Sequence, residues 1–266
     1  VILKYIIFRF VMNLTVSNLL VCAIMNPLLI MDAASTSSNS FIVESQSIGS
    51  ICAISEGGVA VVTTSSVFSV LLIAVDQYFA VVDPLRYRAR VDKLKSGILI
   101  ISTWFISIIF GFLAFFNPNP RSFWQSCIFR LINDTITYGF VYAIVYSIFA
   151  YFIPFVAVCW IYVSIYVAAH RNSERTRKSG SRHREETRAA RISALVIVMG
   201  LTCWSPYVIL LVMKNLPRYT DQHLSHKYDI LASSFFILAA YISPLLFGYR
   251  SKRVKRELRR FFCFRR

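Results

Sequence analysis

The chain has 266 residues, of which 56% are hydrophobic and only 16% charged, and it carries a formal charge of +16. Soluble domains hold about a quarter charged residues, so an ordinary soluble domain is excluded. A basic nucleic-acid module is excluded as well, because its charges would decorate a polar, foldable surface, whereas here they crowd between long uncharged stretches.

Those stretches are the predicted elements. Uncharged runs of 22 residues between Arg9 and Asp32, 25 between Lys95 and Arg121, 36 between Asp134 and Arg171, 22 between Arg191 and Lys214 and 20 between Asp229 and Arg250 all reach spanning length, which is about 20 apolar residues as helix. A sixth stretch, from about Gly49 to Val82, carries only Glu56 and Asp76, with 19 uncharged residues between them. The expectation is an all-α polytopic membrane bundle forming one domain over 1–266, with spans at about 10–31, 49–82, 96–116, 137–169, 188–213 and 229–249. No cleavage pattern of a signal peptide follows Val1, and the absence of an initiator Met suggests that an earlier helix precedes this sequence.

Six spans place both ends on one side. Segments on that side hold 24 Lys and Arg against 5 on the other, so the positive-inside rule puts both ends in the cytoplasm. In the first span, Asn13-Leu-Thr15 matches a glycosylation sequon but lies in the membrane, so it is read as a chance match. In the second, Glu56, Val59, Thr63, Ser66 and Val70 recur at steps of three or four and share one face. An intramembrane acid such as Glu56 is a functional hypothesis, although its place near the outer mouth also suits a wetted carboxylate. Cys52 and Cys127 both face an oxidising compartment in this topology, which permits a disulfide, but spacing does not reveal connectivity. Asn133-Asp-Thr135 is a sequon on the outer side. Cys22, Cys159 and Cys203 lie within spans as packing residues.

The end of the chain reads differently. Val254, Leu258, Phe261 and Phe262 recur at helical spacing among seven basic residues, the pattern of an amphipathic helix over about 250–263 lying on an anionic leaflet. Cys263 near its end suits a palmitoyl chain or remains an unmodified thiol. The four histidines, His170, His183, His223 and His226, fall in loops or helix ends, with no metal-ligand spacing inside the bundle and no sign of a cofactor or an enzyme. A six-span transporter or channel would place ionisable groups near the midplane or show two related halves, and neither feature is present.

Several runs carry a resemblance. Asn13-Leu-Thr-Val-Ser-Asn18-Leu-Leu, Asp76-Gln77-Tyr78 followed by Val82-Asp-Pro-Leu-Arg86-Tyr87, Trp104, Cys127, Pro154 with Tyr162 eight residues on, Cys203-Trp204-Ser205-Pro206 and Ser243-Pro244-Leu-Leu-Phe247 ahead of the amphipathic helix resemble the rhodopsin-like (class A) G-protein-coupled receptors. The resemblance covers nearly the whole chain and implies a seven-transmembrane bundle in the plasma membrane, with an extracellular ligand and a heterotrimeric G protein as partners. It implies a ligand pocket formed by Glu56, Val59, Thr63, Tyr146, Trp204, Tyr207 and Ser233, with Trp204 at its floor. Val59 stands where amine receptors carry an Asp, which disfavours a biogenic amine and leaves a peptide or a lipid-like ligand.

The departures from the family pattern concern the switch. Gln77 replaces the Arg of Asp-Arg-Tyr, so Glu186, at the position of the partner acid, has no cation to lock. Asn18 and Ser243 replace the Asp and Asn of the family's sodium site, which should then bind sodium poorly. Phe247 stands for a Tyr that swings inward, and Gly200 for an aromatic one turn below Trp204. With Asp76, Tyr78, Tyr162 and Pro244, these positions would border the G-protein cleft. The alternative reading is a receptor-like protein with weak, constitutive or absent coupling.

Overall fold

The computed structural model describes residues 2–37, 45–82, 93–116, 136–175, 202–214 and helical positions between 228 and 241. Within these, every regular element is helical. The first, α1, is Ile2–Ser37, followed by α2, Ser45–Val82, and α3, Lys93–Phe115. Next comes a single rod made of α4, Ile136–Tyr146, a π-helical segment, Ser147–Phe152, and α5, Ile153–Arg175. After it come α6, Thr202–Lys214, and the helical positions of the last stretch. The proposed span positions 188–201, the amphipathic helix over 250–263, Cys127, Asn133, Glu186, Ser233, Ser243, Pro244, Phe247 and Cys263 lie outside the described residues.

Helix is the structure these residues must adopt in lipid, since each backbone N–H and C=O has to be satisfied within its own segment. Pro27 lies inside α1, where it leaves the helix one N–H short. The hydroxyls embedded in apolar helices are satisfied within their own segments. Thr15 donates to the Val11 carbonyl at 2.8 Å, Ser107 to Thr103 at 2.7 Å and Ser147 to Ala143 at 2.6 Å, each one turn back along its own helix.

Glu56–Phe79, Leu94–Phe115 and Tyr138–Ala168 are long and apolar enough to cross a membrane, while Phe8–Ile24 and Thr202–Lys214 are shorter apolar helices. Burial separates their roles. The most apolar window of the α2 segment is 67% buried and that of α3 only 22%, so α2 is the central column and α3 an outer helix. α2 packs against α1, α3 and α5. On α3, Ile98, Ile101, Phe105, Ile109 and Phe112 point outward, which suits lipid as the surrounding solvent. α2 and α3 approach closely where both have glycine: a Cβ on Gly57 would lie 3.0 Å from the Gly111 carbonyl, and one on Gly111 would run into the Val61 side chain.

Candidate functional site

The predicted pocket residues of α2 lie on its central face. Val59, Thr63 and Ser66 on it are buried, and Glu56 at its outer end is half-buried. Thr63 Oγ1 lies 2.7 Å from the Val59 carbonyl and 2.7 Å from the Tyr146 hydroxyl. A hydroxyl has one hydrogen to give, so the arrangement satisfying both contacts has Thr63 donating to its own helix and Tyr146 donating to Thr63. Around this bond the Phe110 ring meets Tyr146 edge-on at 5.6 Å, and Tyr142 lies 5.7 Å from it. Tyr207 and Trp204 of α6 are buried in the same core. Glu56 lies within electrostatic range of both Tyr142 and Tyr207. Six of the seven residues expected in the pocket are described, and Thr63 and Tyr146 are in direct contact.

Below this level the first three helices are stitched by short side chains. Ser66 donates to Asn18 Oδ1 at 2.7 Å, Ser17 and Ser65 share a 2.9 Å hydrogen bond, and Asn13 Nδ2 donates to Ser69 at 2.7 Å. Trp104 Nε1 donates to Asn13 Oδ1 at 2.9 Å. Asn13 is thus buried between α2 and α3 with both ends of its amide engaged, which leaves no room for a glycan. Nearer the inner end, Arg9 donates to Ser96 at 3.0 Å. The sequence motifs contain Asn13, Ser17, Asn18 and Trp104, and Ser66 falls on the predicted face, but Ser65 and Ser69 are missed; serines at i and i+4 on α2 are the signal that could have found them.

At the inner end of α2, Asp76 and Gln77 are both buried. Tyr162 donates to Gln77 Oε1 at 3.1 Å, bridging α5 to α2. Gln77 Nε2 has no hydrogen-bond partner among the described residues. Tyr78 is half-buried with its ring edge-on to Phe79 at 5.6 Å. Cys52 falls in the outer part of α2. Among the described residues no group of three or more His, Cys, Asp and Glu could hold a metal.

Pro154, fully buried, follows the π-helical Ser147–Phe152 closely. Proline has no N–H to give, and this helix carries a widened turn there rather than a break. Tyr151 within that segment stacks on Phe155 at 5.8 Å.

Central burial of α2, an outer aromatic cluster, an inner tyrosine contact and lipid-ready outer helices define a multi-pass helical membrane protein of receptor type. The profile of the 7 transmembrane receptor (rhodopsin family) matches residues 3–247, and the chain belongs to that family, whose members are receptors and not enzymes. It is 25% identical over 210 residues to the somatostatin receptor type 5 of Bos taurus, covering 76% of this chain and 54% of that receptor. It is 24% identical over 206 residues to the histamine H2 receptor of Cavia porcellus, covering 76% and 57%. To the adenosine receptor A2a of Canis lupus familiaris it is 26% identical over 224 residues, covering 76% and 53%. The chain spans about half the length of the curated relatives it matches.

Proposed function

We propose that this chain acts as a G-protein-coupled receptor, transmitting the binding of an extracellular ligand to a heterotrimeric G protein, with its C-terminus in the cytoplasm. The observation that carries this reading is the Tyr146–Thr63 hydrogen bond, buried on the central helix in the same core as Trp204 and Tyr207. A ligand entering from the outer side would meet Glu56, Val59, Thr63, Tyr146, Tyr207 and Ser233 before Trp204. The G protein would meet Asp76, Gln77, Tyr78, Tyr162, Glu186, Ser243, Pro244 and Phe247. The relatives are named for somatostatin, histamine and adenosine, three different ligands, so the choice rests on this chain's own residues. A small amine would lack a counter-ion at buried Val59, and an unpaired buried charge is strongly unfavourable. The aromatic, weakly polar cluster suits a peptide or a lipid-like ligand instead.

A second reading is favoured by Gln77, which offers hydrogen bonds but no cation: a receptor-like protein with weak, constitutive or absent coupling. Expression of the full-length receptor in cells, with and without Gln77→Arg, separates the two. Basal or stimulated second-messenger levels are expected to rise above the untransfected level and to change with the substitution. Silence of both forms at normal surface density would sink the coupling reading.

A further inference from the structure

Arg9 is half-buried near the inner end of α1, with its charge on the flank that meets α3. Its Nη1 donates to the buried Ser96 at 3.0 Å, and its Nη2 lies over Gly97, where an added Cβ would sit 3.5 Å away. The two contacts fix the plane of the guanidinium, and Gly97 leaves the space in which it lies. Lys95 and Gly97, on either side of Ser96 in sequence, point about 160° apart around α3. Arg9 therefore approaches on one flank of α3, and the exposed Lys95 faces the other. Outward from Arg9 a groove runs between the two helices. Met12 and Val16, three and seven residues on from Arg9, form one wall, and Ile101 and Ile108, four and eleven on from Gly97, form the other. All four are exposed. The Trp104 indole, bonded across to Asn13, closes the floor. From Gly97 to Ile108 the groove covers about 16 Å along the axis, the depth of one leaflet in a hydrocarbon core of about 30 Å.

We infer that this groove binds an anionic glycerophospholipid of the inner leaflet, its phosphate on Arg9 and one acyl chain between the Met12–Val16 and Ile101–Ile108 walls. A cation beside hydrocarbon is costly unless it meets an opposite charge. The planar fork of a guanidinium matches phosphate oxygens two at a time, and Ser96 holds that fork in place. Anionic lipids concentrate in the cytoplasmic leaflet, the side on which Arg9 lies. Charge also decides against a second copy of the chain on this face. Such a copy would bring another Arg9 and no acid to meet it, because α3 contains none and α1 has only Asp32, near its far end. Only the choice of leaflet rests on the topology proposed above.

The test titrates the full-length receptor in detergent with phosphatidylserine or phosphatidylcholine and follows the first bound lipid by native mass spectrometry. Phosphatidylserine is expected to bind more tightly than phosphatidylcholine. Arg9→Gln should weaken phosphatidylserine about fivefold and abolish the preference. Lys95→Gln, an equal loss of charge on the other flank of α3, should leave both affinity and preference in place. Equal losses in the two variants would mean a diffuse field and overturn the site. A phosphatidylserine carrying a diazirine in its acyl chain then locates the lipid on the unsubstituted receptor, which decides the matter even when Arg9→Gln does not fold. Labelling at Met12, Val16, Ile101 or Ile108 is expected. Labelling confined to other helices, equal affinity for phosphatidylcholine, or receptor pairs cross-linked through Ile101 in place of lipid would each overturn the proposal. Detergent has no sides and no readout depends on signalling, so an inverted topology or a receptor silent toward G proteins would change the proposed function and leave the lipid site standing.

Discussion

The Trp104 indole N–H donates to the side-chain Oδ1 of Asn13 at 2.9 Å, while Nδ2 of the same Asn13 donates to Ser69 at 2.7 Å. One side chain thus joins α1 to both α2 and α3, at a depth where water cannot substitute for a lost partner. Trp104→Phe leaves Asn13 Oδ1 without this donor and is expected to destabilise the bundle by about 1–3 kcal/mol. Asn13→Ala should cost a similar amount. Because both substitutions break one bond, the double variant should fall well short of their sum. Thermal unfolding in detergent micelles measures all three, and strict additivity would show that the contact contributes nothing.

At the inner end, Tyr162→Phe removes the donor to Gln77 Oε1 in a buried amide whose Nε2 already has no partner among the described residues. Gln77→Leu removes that amide altogether. Removing one partner of a buried hydrogen bond costs about 1–3 kcal/mol, whereas replacing both with apolar groups is close to neutral. The expected order of melting temperatures is therefore the double variant Tyr162→Phe/Gln77→Leu above Tyr162→Phe alone, and the reverse order would contradict this account.

Gly111→Ala places a methyl group against Val61 where the α2–α3 contact has no space. Overpacking of this kind costs about 1–3 kcal/mol. Adding Val61→Ala should restore part of the lost stability, the remainder reflecting the 3.0 Å approach to the Gly57 carbonyl. Size-exclusion profiles after graded heating would report both effects, and a fully stable Gly111→Ala single variant would refute the close approach.

Asn18 accepts from Ser66 at 2.7 Å, and it brings an amide where the resembling receptors bring a carboxylate. A hard monovalent cation held by amide and hydroxyl oxygens alone gains little. Exchanging sodium for potassium is therefore expected to leave the melting temperature unchanged. Asn18→Asp should make it sodium-dependent and lower it when sodium is withdrawn, since the new buried carboxylate then lacks a partner. Sodium stabilisation of the unsubstituted protein would count against the expectation.

Much of this architecture is legible in the chain itself. Uncharged runs longer than a bilayer is thick announce helices, because lipid offers the backbone no other partner. The spacing of Glu56, Val59, Thr63 and Ser66 marks one face of α2, and the burial of the last three identifies it as the inner face. The Asn13–Trp104 bond is not legible: its ends are 91 positions apart, and local periodicity says nothing of lateral neighbours. The π turn is also hidden, since Ser147–Phe152 has the composition of any apolar helix and only Pro154 hints at a disturbance.

The sequence alone determined the solvent, the secondary structure and the family, because charge spacing and hydrophobicity act along the chain. Tertiary structure decided which hydroxyl meets which. Thr63 with Tyr146 and Gln77 with Tyr162 lie 83 and 85 positions apart, and whether both pairs form at once depends on the rotation of one helix against another. The rod that carries both tyrosines also contains a π turn at Ser147–Phe152, and hydrophobic pattern does not record it.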